Sequence, residues 1–321
     1  MGPSASYRNI RTVLLAGGVG GARMARGLAA IVAPGHLTVI VNVGDDSLMY
    51  GALVSADLDT VTYTLAGING SQGWGIAEDT HVVVGHLAAF GVDTTFRLGD
   101  RDLAHCLART DALAQGGTLT EFTREACRRF GIQCTILPAS DDSIRTKIET
   151  PGGERLDFQD YFVLRRHKDP VAGLEFRGAA VARPAPGTLS AIEAAEVVVI
   201  APSNPPLSIW PMLAMERLRV AVQAHHTVVA ISPLVGGRAI KGPLVGVMEG
   251  LGLPPTNAGI VAAYEDALTH IVIDSSDAAD ADELTRLGVT VIIADTLIAE
   301  AAAASRLANT VLDRIAAPPA R

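Results

Sequence analysis

Six short runs along the chain are apolar without interruption: TVLLA (12–16), LTVIVNV (37–43), VVVIA (197–201), TVVAIS (227–232), HIVID (270–274) and VTVIIA (289–294). A strand covered on one face alternates apolar and polar residues. These runs do not alternate, so each reads as a strand buried on both faces. Helical spacing fills many of the gaps, over 21–32, 208–223 and 256–268, with an alanine-rich helix from about 296 to 315. Strands alternating with helices predict an α/β fold with a doubly wound, mainly parallel, Rossmann-like sheet.

The middle of the chain breaks this rhythm. From Ala56 to Phe130 the pattern is mainly helical. Then RTKIET-PGG-ERLDFQDYFVLRR (145–166) reads as two strands joined by a Pro-Gly-Gly turn. The expected organisation is an α/β core of 11–133 and 183–315, interrupted by a helical segment and a small β-rich insertion over 134–182.

Of the 321 residues, 49% are hydrophobic and only 4% aromatic, so a large core of Ala, Val, Leu and Ile is expected. The net charge of −8 argues against nonspecific nucleic-acid binding, which selects basic surfaces. No apolar stretch approaches the ~20 residues that span a bilayer. The first residues, MGPSASYRNIR, lack the apolar core of a signal peptide. A cytoplasmic enzyme with neither membrane nor nucleic-acid partner is expected. Cys106, Cys127 and Cys134 have no CxxC spacing and read as free thiols.

Candidate chemistry begins after the first strand, at Gly17, Gly18, Gly20 and Gly21. Without Cβ atoms this backbone can turn tightly, and its N–H groups can approach an anion at a helix N-terminus. The dinucleotide fingerprint is not met, because Arg23 stands at the third glycine position and Asn42 where an acidic ribose ligand is expected. No Gly-Lys-Ser/Thr follows, which excludes a Walker loop. A nicotinamide-dependent oxidoreductase is correspondingly disfavoured.

After the second strand, NVGDDSLMYG (42–51) and DLDT (57–60) supply four carboxylates within fifteen residues, Asp45, Asp46, Asp57 and Asp59, with Thr60 beside them. Doubly wound folds bind ligands at the carboxyl ends of their strands, and oxygen-rich clusters suit Mg2+. The competing reading is a set of helix caps and turns.

Further polar groups recur at the same expected edge. Trp74 lies between glycines in GWG, where its ring can stack on a flat ligand or anchor a loop. LGDRD (98–102) brings Asp100 and Arg101 ahead of a helix. APSNPPLSI (201–209) brings Ser203 and Asn204, and SPLVGGRAIKGP (232–243) brings Gly236, Gly237 and Lys241. Three loops from one sheet edge, rich in amides, glycines and cations, point to a nucleotide or diphosphate. There is no HExxH and no G-x-S-x-G elbow, so covalent hydrolase chemistry lacks support.

Taken in order, GGVGGAR, NVGDD, DLDT, GWG, LGDRD, FQDYFV, APSNPPLSI, SPLVGGRAIKGP and YEDALTHIVID resemble the 2-phospho-L-lactate transferases of coenzyme F-420 biosynthesis. The resemblance runs from about residue 11 to residue 312. It implies a doubly wound α/β core with an insertion, dependence on Mg2+, and a homodimer. It also implies two small-molecule substrates: the deazaflavin FO, and a guanosine-diphospho donor that surrenders a phospholactyl, phosphoenolpyruvyl or phosphoglyceryl group and releases GMP. A regulator of cell-wall metabolism from the wider superfamily is the nearest rival, and DLDT beside LGDRD counts against it.

Within that resemblance, roles follow by inference. Asp45 and Asp59 would hold magnesium, and Asp46 or Asp57 would take the proton of the attacking alcohol. Gly18, Gly20, Ser203, Asn204, Gly236, Gly237 and Lys241 would contact substrate phosphates and guanine, and Gly21, Asn42 and Thr60 would belong to the substrate-binding set. Trp74, Asp100 and Arg101 would lie towards the deazaflavin. No residue selects among the three organic acids.

Overall fold

The computed structural model describes residues 9–240 and 242–316. Seven strands form the central sheet, numbered here in chain order: β1 (Thr12–Ala16), β2 (Leu37–Val41), β3 (Thr135–Pro138), β4 (Val197–Ile200), β5 (Val228–Ile231), β6 (His270–Asp274) and β7 (Thr290–Ala294). Their spatial order is β7-β6-β5-β4-β1-β2-β3, and every neighbouring pair is parallel. The doubly wound reading of the sequence therefore holds. β1, β2, β4 and β5 are buried almost throughout, because helices cover both faces of the sheet.

The order of strands creates the site. The chain winds outward from β1 to β2 and β3, then returns to the other side of β1 as β4. The winding reverses between β1 and β4, and the carboxyl ends of these two strands mark the switch point at which such folds bind ligands. Helix α1 (Gly18–Ala29) leaves this point directly after β1. It packs on α2 (Ala56–Ala66) and on the C-terminal helix Ala301–Ala316. The approach to the C-terminal helix is close: a Cβ on Gly27 would lie 2.5 Å from the carbonyl oxygen of Ala304.

The helical segment comprises α2, α3 (Val82–Ala89), α4 (Asp100–Ala114) and α5 (Leu119–Arg129). Helix α5 starts with a capping box. Thr118 Oγ1 accepts from the Glu121 N–H at 3.2 Å, and Glu121 Oε2 accepts from the Thr118 N–H at 2.9 Å.

Three expectations need correction. Thr135–Pro138, placed by its sequence in the insertion, pairs with β2 and is a strand of the main sheet. The insertion starts after it, as a three-stranded antiparallel sheet of Arg145–Glu149, Arg155–Asp157 and Gly173–Arg177. The hairpin forms as expected, but its second strand stops at Asp157, and Asp160–Leu164 wind into a wide helical turn. The C-terminal helix begins at Ala301 rather than near 296. Among the described residues no helix is long and apolar enough to cross a membrane. Cys106, Cys127 and Cys134 are free, the first two buried.

Candidate functional site: a carboxylate cluster at the sheet switch point

The loop after β1 is shaped by contact as much as by openness. Gly18 opens α1 with φ +63, a conformation that favours glycine, and its N–H donates to Asp57 Oδ1 at 2.6 Å. A Cβ on Gly17 would lie 2.6 Å from both Asp57 Oδ2 and Ser208 Cβ. One on Gly20 would lie 2.5 Å from the carbonyl oxygen of Pro202. Gly21 is buried against Ala16 and Ser203. These glycines thus let the β1 and β4 loops and the start of α2 converge. Ser203 staples that convergence: its hydroxyl donates to the Gly17 carbonyl at 2.7 Å and accepts from the Gly17 N–H at 3.3 Å. Asn204 Oδ1 accepts from the Leu207 N–H at 3.1 Å and caps the turn that follows.

Asn42 organises the carboxylates. It is fully buried just past β2, and its amide nitrogen donates to Asp45 Oδ1 and, at 3.0 Å, to Asp57 Oδ2. Its Oδ1 accepts from the Gly44 N–H at 2.8 Å. Its polar atoms are thereby engaged with the protein, so it holds together Asp45 and Asp57, which lie three and fifteen residues further along the chain. Asp46 lies alongside, with Oδ1 accepting from Ser55 Oγ at 2.7 Å and no partner on Oδ2 among the described residues. The insertion closes the cluster from outside: the Thr146 N–H donates to the Gly44 carbonyl at 2.7 Å, and Gln159 Nε2 to the Asp45 carbonyl at 3.1 Å.

Burying carboxylates together disfavours their charge. Burial, then the charges of Asp57 and Asp46, raises the Asp45 carboxyl well above its usual range. Burial raises Asp46 to about 7, against a hydrogen bond from Ser55 that pulls it down. Burial raises Asp57 to about 6 despite its bonds from Asn42 and Gly18.

Asp59 behaves differently. Burial would raise its carboxyl, but Arg109 and His105 outweigh that and bring it below the ordinary value. Arg109 grips both oxygens, with Nη1 3.1 Å from Oδ2 and Nη2 on Oδ1. His105 Nε2 lies 3.4 Å from Oδ1. Around this pair stand Tyr63, whose hydroxyl donates to Asp102 Oδ1 at 2.9 Å, and Cys106, whose thiol is pushed up by burial and by Asp59. Asp59, Asp102 and Cys106 are near enough to hold a metal, yet the guanidinium already supplies the positive charge. Thr60 is buried on α2 directly behind Asp59.

The donor set decides which carboxylates fit a divalent cation. Asp45 and Asp57 share one amide donor and are short of positive charge; Asp59 is not. Oxygen ligands of this kind fit Mg2+, so the pair best fitted to it is Asp45 with Asp57, where the sequence pointed to Asp45 with Asp59.

The remaining candidates separate into three groups. Trp74 is 56% exposed on a turn flanked by Gly73 (φ +94) and Gly75 (φ +63), a ring standing free. Asp100 is engaged structurally: Oδ2 accepts from Thr80 Oγ1 at 2.5 Å and the Val82 N–H at 3.0 Å, and Oδ1 from the Val83 N–H at 3.0 Å, so it caps α3. Arg101 ties back to the Ala77 carbonyl and to Asp79. Gly236 and Gly237, with φ of +59 and +68, make the two-residue turn of a small hairpin, and the Gly236 N–H donates to Asp277 Oδ2 at 2.9 Å. Lys241 lies outside the described residues. Sequence reading missed Arg109, His105, Ser55 and Gln159. The partners of Arg109, His105 and Gln159 are distant in the chain, and Ser55, nine residues from Asp46, carries no spacing that advertises it.

Comparison with known proteins adds identity to this geometry. The family model described as 2-phospho-L-lactate transferase CofD matches residues 12–297. A phosphoenolpyruvate transferase from Streptomyces griseus is 38% identical over 311 residues, covering 95% of this chain and 98% of its own. A 2-phospho-L-lactate transferase from Methanosarcina mazei is 35% identical over 301 residues, covering 94% and 99%. A crystal structure of a UPF0052 family member from Bacillus halodurans superposes with a TM-score of 0.61 at 18% identity, covering 94% of this chain and 99% of that one. This last likeness concerns the fold alone.

Proposed function

The chain belongs to the 2-phospho-L-lactate transferase family, a transferase by that membership, and from this premise we propose that it moves an organic-acid phosphoryl group from a guanosine-diphospho donor to the terminal ribitol hydroxyl of the deazaflavin FO, in coenzyme F-420 biosynthesis. The observation that carries the reading is the set of three buried carboxylates, Asp45, Asp46 and Asp57, gathered at the switch point of the sheet. The acid carried is lactate, enolpyruvate or glycerate. Relatives named for phosphoenolpyruvate and for phospholactate stand at 38% and 35% identity, too close to choose between them.

Transfer of a substituted phosphoryl group needs positioning and charge neutralisation more than a covalent nucleophile. The acceptor hydroxyl forms a bond to the phosphorus that bears the acid. The bond from that phosphorus to the guanylate oxygen breaks, and GMP leaves with the electron pair. The hydroxyl proton goes to a carboxylate. Asp46 suits that task, because its Oδ2 has no protein partner among the described residues and its affinity for a proton lies near neutrality. Asp45 and Asp57 would hold Mg2+, which when bound supplies positive charge against the diphosphate. Asn42 fixes those two carboxylates relative to each other. Asp59, held by Arg109, positions the start of α2, from which Asp57 projects.

Gly18 and the loops at Ser203, Asn204, Gly236 and Gly237 border the nucleotide end in this reading. The free ring of Trp74 is suited to stack on the deazaflavin. A homodimer belongs to the same reading, supported by the apolar helix α3, which leaves Val82 and Val83 exposed. Sedimentation of the purified protein tests it. The transfer is tested by incubating enzyme, Mg2+ and FO with each of the three guanylated donors and weighing the deazaflavin product. A product heavier by one phospho-acid, with GMP released in equal amount, is expected from one donor. Unmodified FO with all three overturns the proposal.

A further inference from the structure

One turn along α1 from the glycine loop, a second cavity of about 220 Å³ lies between α1, α2, the turn at 69–73 and Ala299 in the loop before the C-terminal helix. Its polar walls are the side chains of Arg23 and Arg26 on α1, Thr64 on α2, and Asn69 and Ser71 on the turn. Among the described residues no Asp or Glu lines it. Both arginines are half-buried, and among the described residues neither guanidinium has a carboxylate partner. The Nε of Arg26 is buried without a hydrogen-bond partner among the described residues. An unpaired buried donor on a cation is costly, and such groups in native proteins are normally satisfied by something.

We propose that this cavity is a binding site for a phosphate group, held between Arg23 and Arg26 and closed by the hydroxyls and amide of Thr64, Ser71 and Asn69. The two arginines are three residues apart on one helix and so present their heads on one face. Guanidinium forks match phosphate oxygens two at a time, and the neutral donors complete a tetrahedral set that a planar carboxylate would leave partly unused. The turn is fixed against the helix, since a Cβ on Gly73 would lie 2.5 Å from Val19 Cγ1. Val19 sits between Gly18 and Gly20, so it walls this cavity off from the glycine loop while bordering both. The cavity stands on its own geometry, while its link to a nucleotide rests on the transfer proposed above. Its phosphate has two sources, a free phosphate compound or the phosphate end of a nucleotide bound at the loop.

The test is a 15N NMR titration of the full chain with inorganic phosphate, following the Nε–H resonance of Arg26, assigned by its disappearance in Arg26→Gln. A saturable shift is expected. In Arg23→Gln the apparent affinity is expected to fall about tenfold or more, the loss of one charge-assisted contact, with the melting temperature unchanged. If the shift survives saturation with GDP, the ligand is a free phosphate compound. If GDP itself moves the resonance and blocks phosphate, the group belongs to the nucleotide. A resonance that ignores phosphate at tens of millimolar, or that titrates identically in the folded Arg23→Gln protein, overturns the site.

Discussion

Arg109 and Asp59 form a two-point ion pair in the interior, fifty residues apart in the chain, with the arginine side chain fully buried. Removing one member of such a pair strands the other charge, at a cost of about 3–5 kcal/mol. Asp59→Asn and Arg109→Met are therefore expected to lower the melting temperature sharply. Asp57→Asn relieves a buried charge and is expected to leave it equal or higher. Calorimetric melts of the metal-free variants check the contrast. Equal melting temperatures for Asp57→Asn and Asp59→Asn would show that the pair contributes no net stability.

The division between those aspartates also predicts how magnesium binds. Asp45→Asn and Asp57→Asn are each expected to weaken Mg2+ by tenfold or more, as a ligand charge is lost. Transfer should stop with EDTA and return with Mg2+ in the wild type. Isothermal titration of each folded variant with Mg2+ provides the measurement. Normal affinity in Asp57→Asn would move the cation to another pair.

Asn42 gives a third test. Its one amide group donates to two carboxylates, so Asn42→Leu removes both bonds while keeping approximate volume. Hydrogen bonds to charged groups are worth about 1.5–3 kcal/mol, and the two aspartates lose their common anchor. Turnover is expected to fall by at least tenfold at saturating Mg2+, measured as GMP release. Unchanged turnover would reduce Asn42 to packing.

Much of this was legible in the sequence because it is local. Uninterrupted Val-Ile runs marked six of the seven central strands; burial on both faces explains five of them, while the edge strand Thr290–Ala294 keeps its apolar run with Thr290 and Ile293 exposed. The seventh, Thr135–Pro138, is an edge strand of four residues, with Thr135 exposed and Pro138 at its end. It carries little signal beside a neighbouring β-rich insertion. The Asp45–Asp46 and Asp57–Asp59 segments were visible as a group, because strand ends collect ligands in this architecture. Their internal division was not visible. Alternate residues of α2 send Asp57 to Asn42 and Asp59 to Arg109, and Arg109 reads in sequence as one more charge on an amphipathic helix. Asp100 shows the converse: its motif suggested a ligand contact, while its oxygens are spent on capping α3.

Trp74 offers a direct optical test of the acceptor end. It is 56% exposed, whereas Trp210 Nε1 donates to the Ala263 carbonyl at 2.7 Å and is fixed in place. FO is expected to quench tryptophan emission, and Trp74→Phe to remove most of the change. Quenching that persists in full in Trp74→Phe would withdraw the stacking role.

The strongest consequence concerns pH. Unfolded aspartates titrate near 3.9, roughly, whereas folded Asp46 and Asp57 titrate at about 7 and about 6. Between those values the folded protein holds protons that the unfolded chain has released. Stability of the metal-free protein must then fall as pH rises from about 4 towards 7, because the unfolded state binds fewer protons. Asp59 acts with the opposite sign: its carboxyl is lowered by Arg109 despite burial, so its contribution is present above the unfolded value and is lost on acidification below it. The two effects together place maximum stability in mildly acidic solution. In EDTA the melting temperature is expected to drop by about 3–6 °C between pH 5 and pH 8. Asp46→Asn should flatten that slope, and Mg2+ at pH 8 should restore the loss by binding the ionised cluster. A melting temperature independent of pH from 5 to 8, in both wild type and Asp46→Asn without metal, would mean that the cluster carries no stored charge repulsion and that its carboxylates are ordinary turn residues.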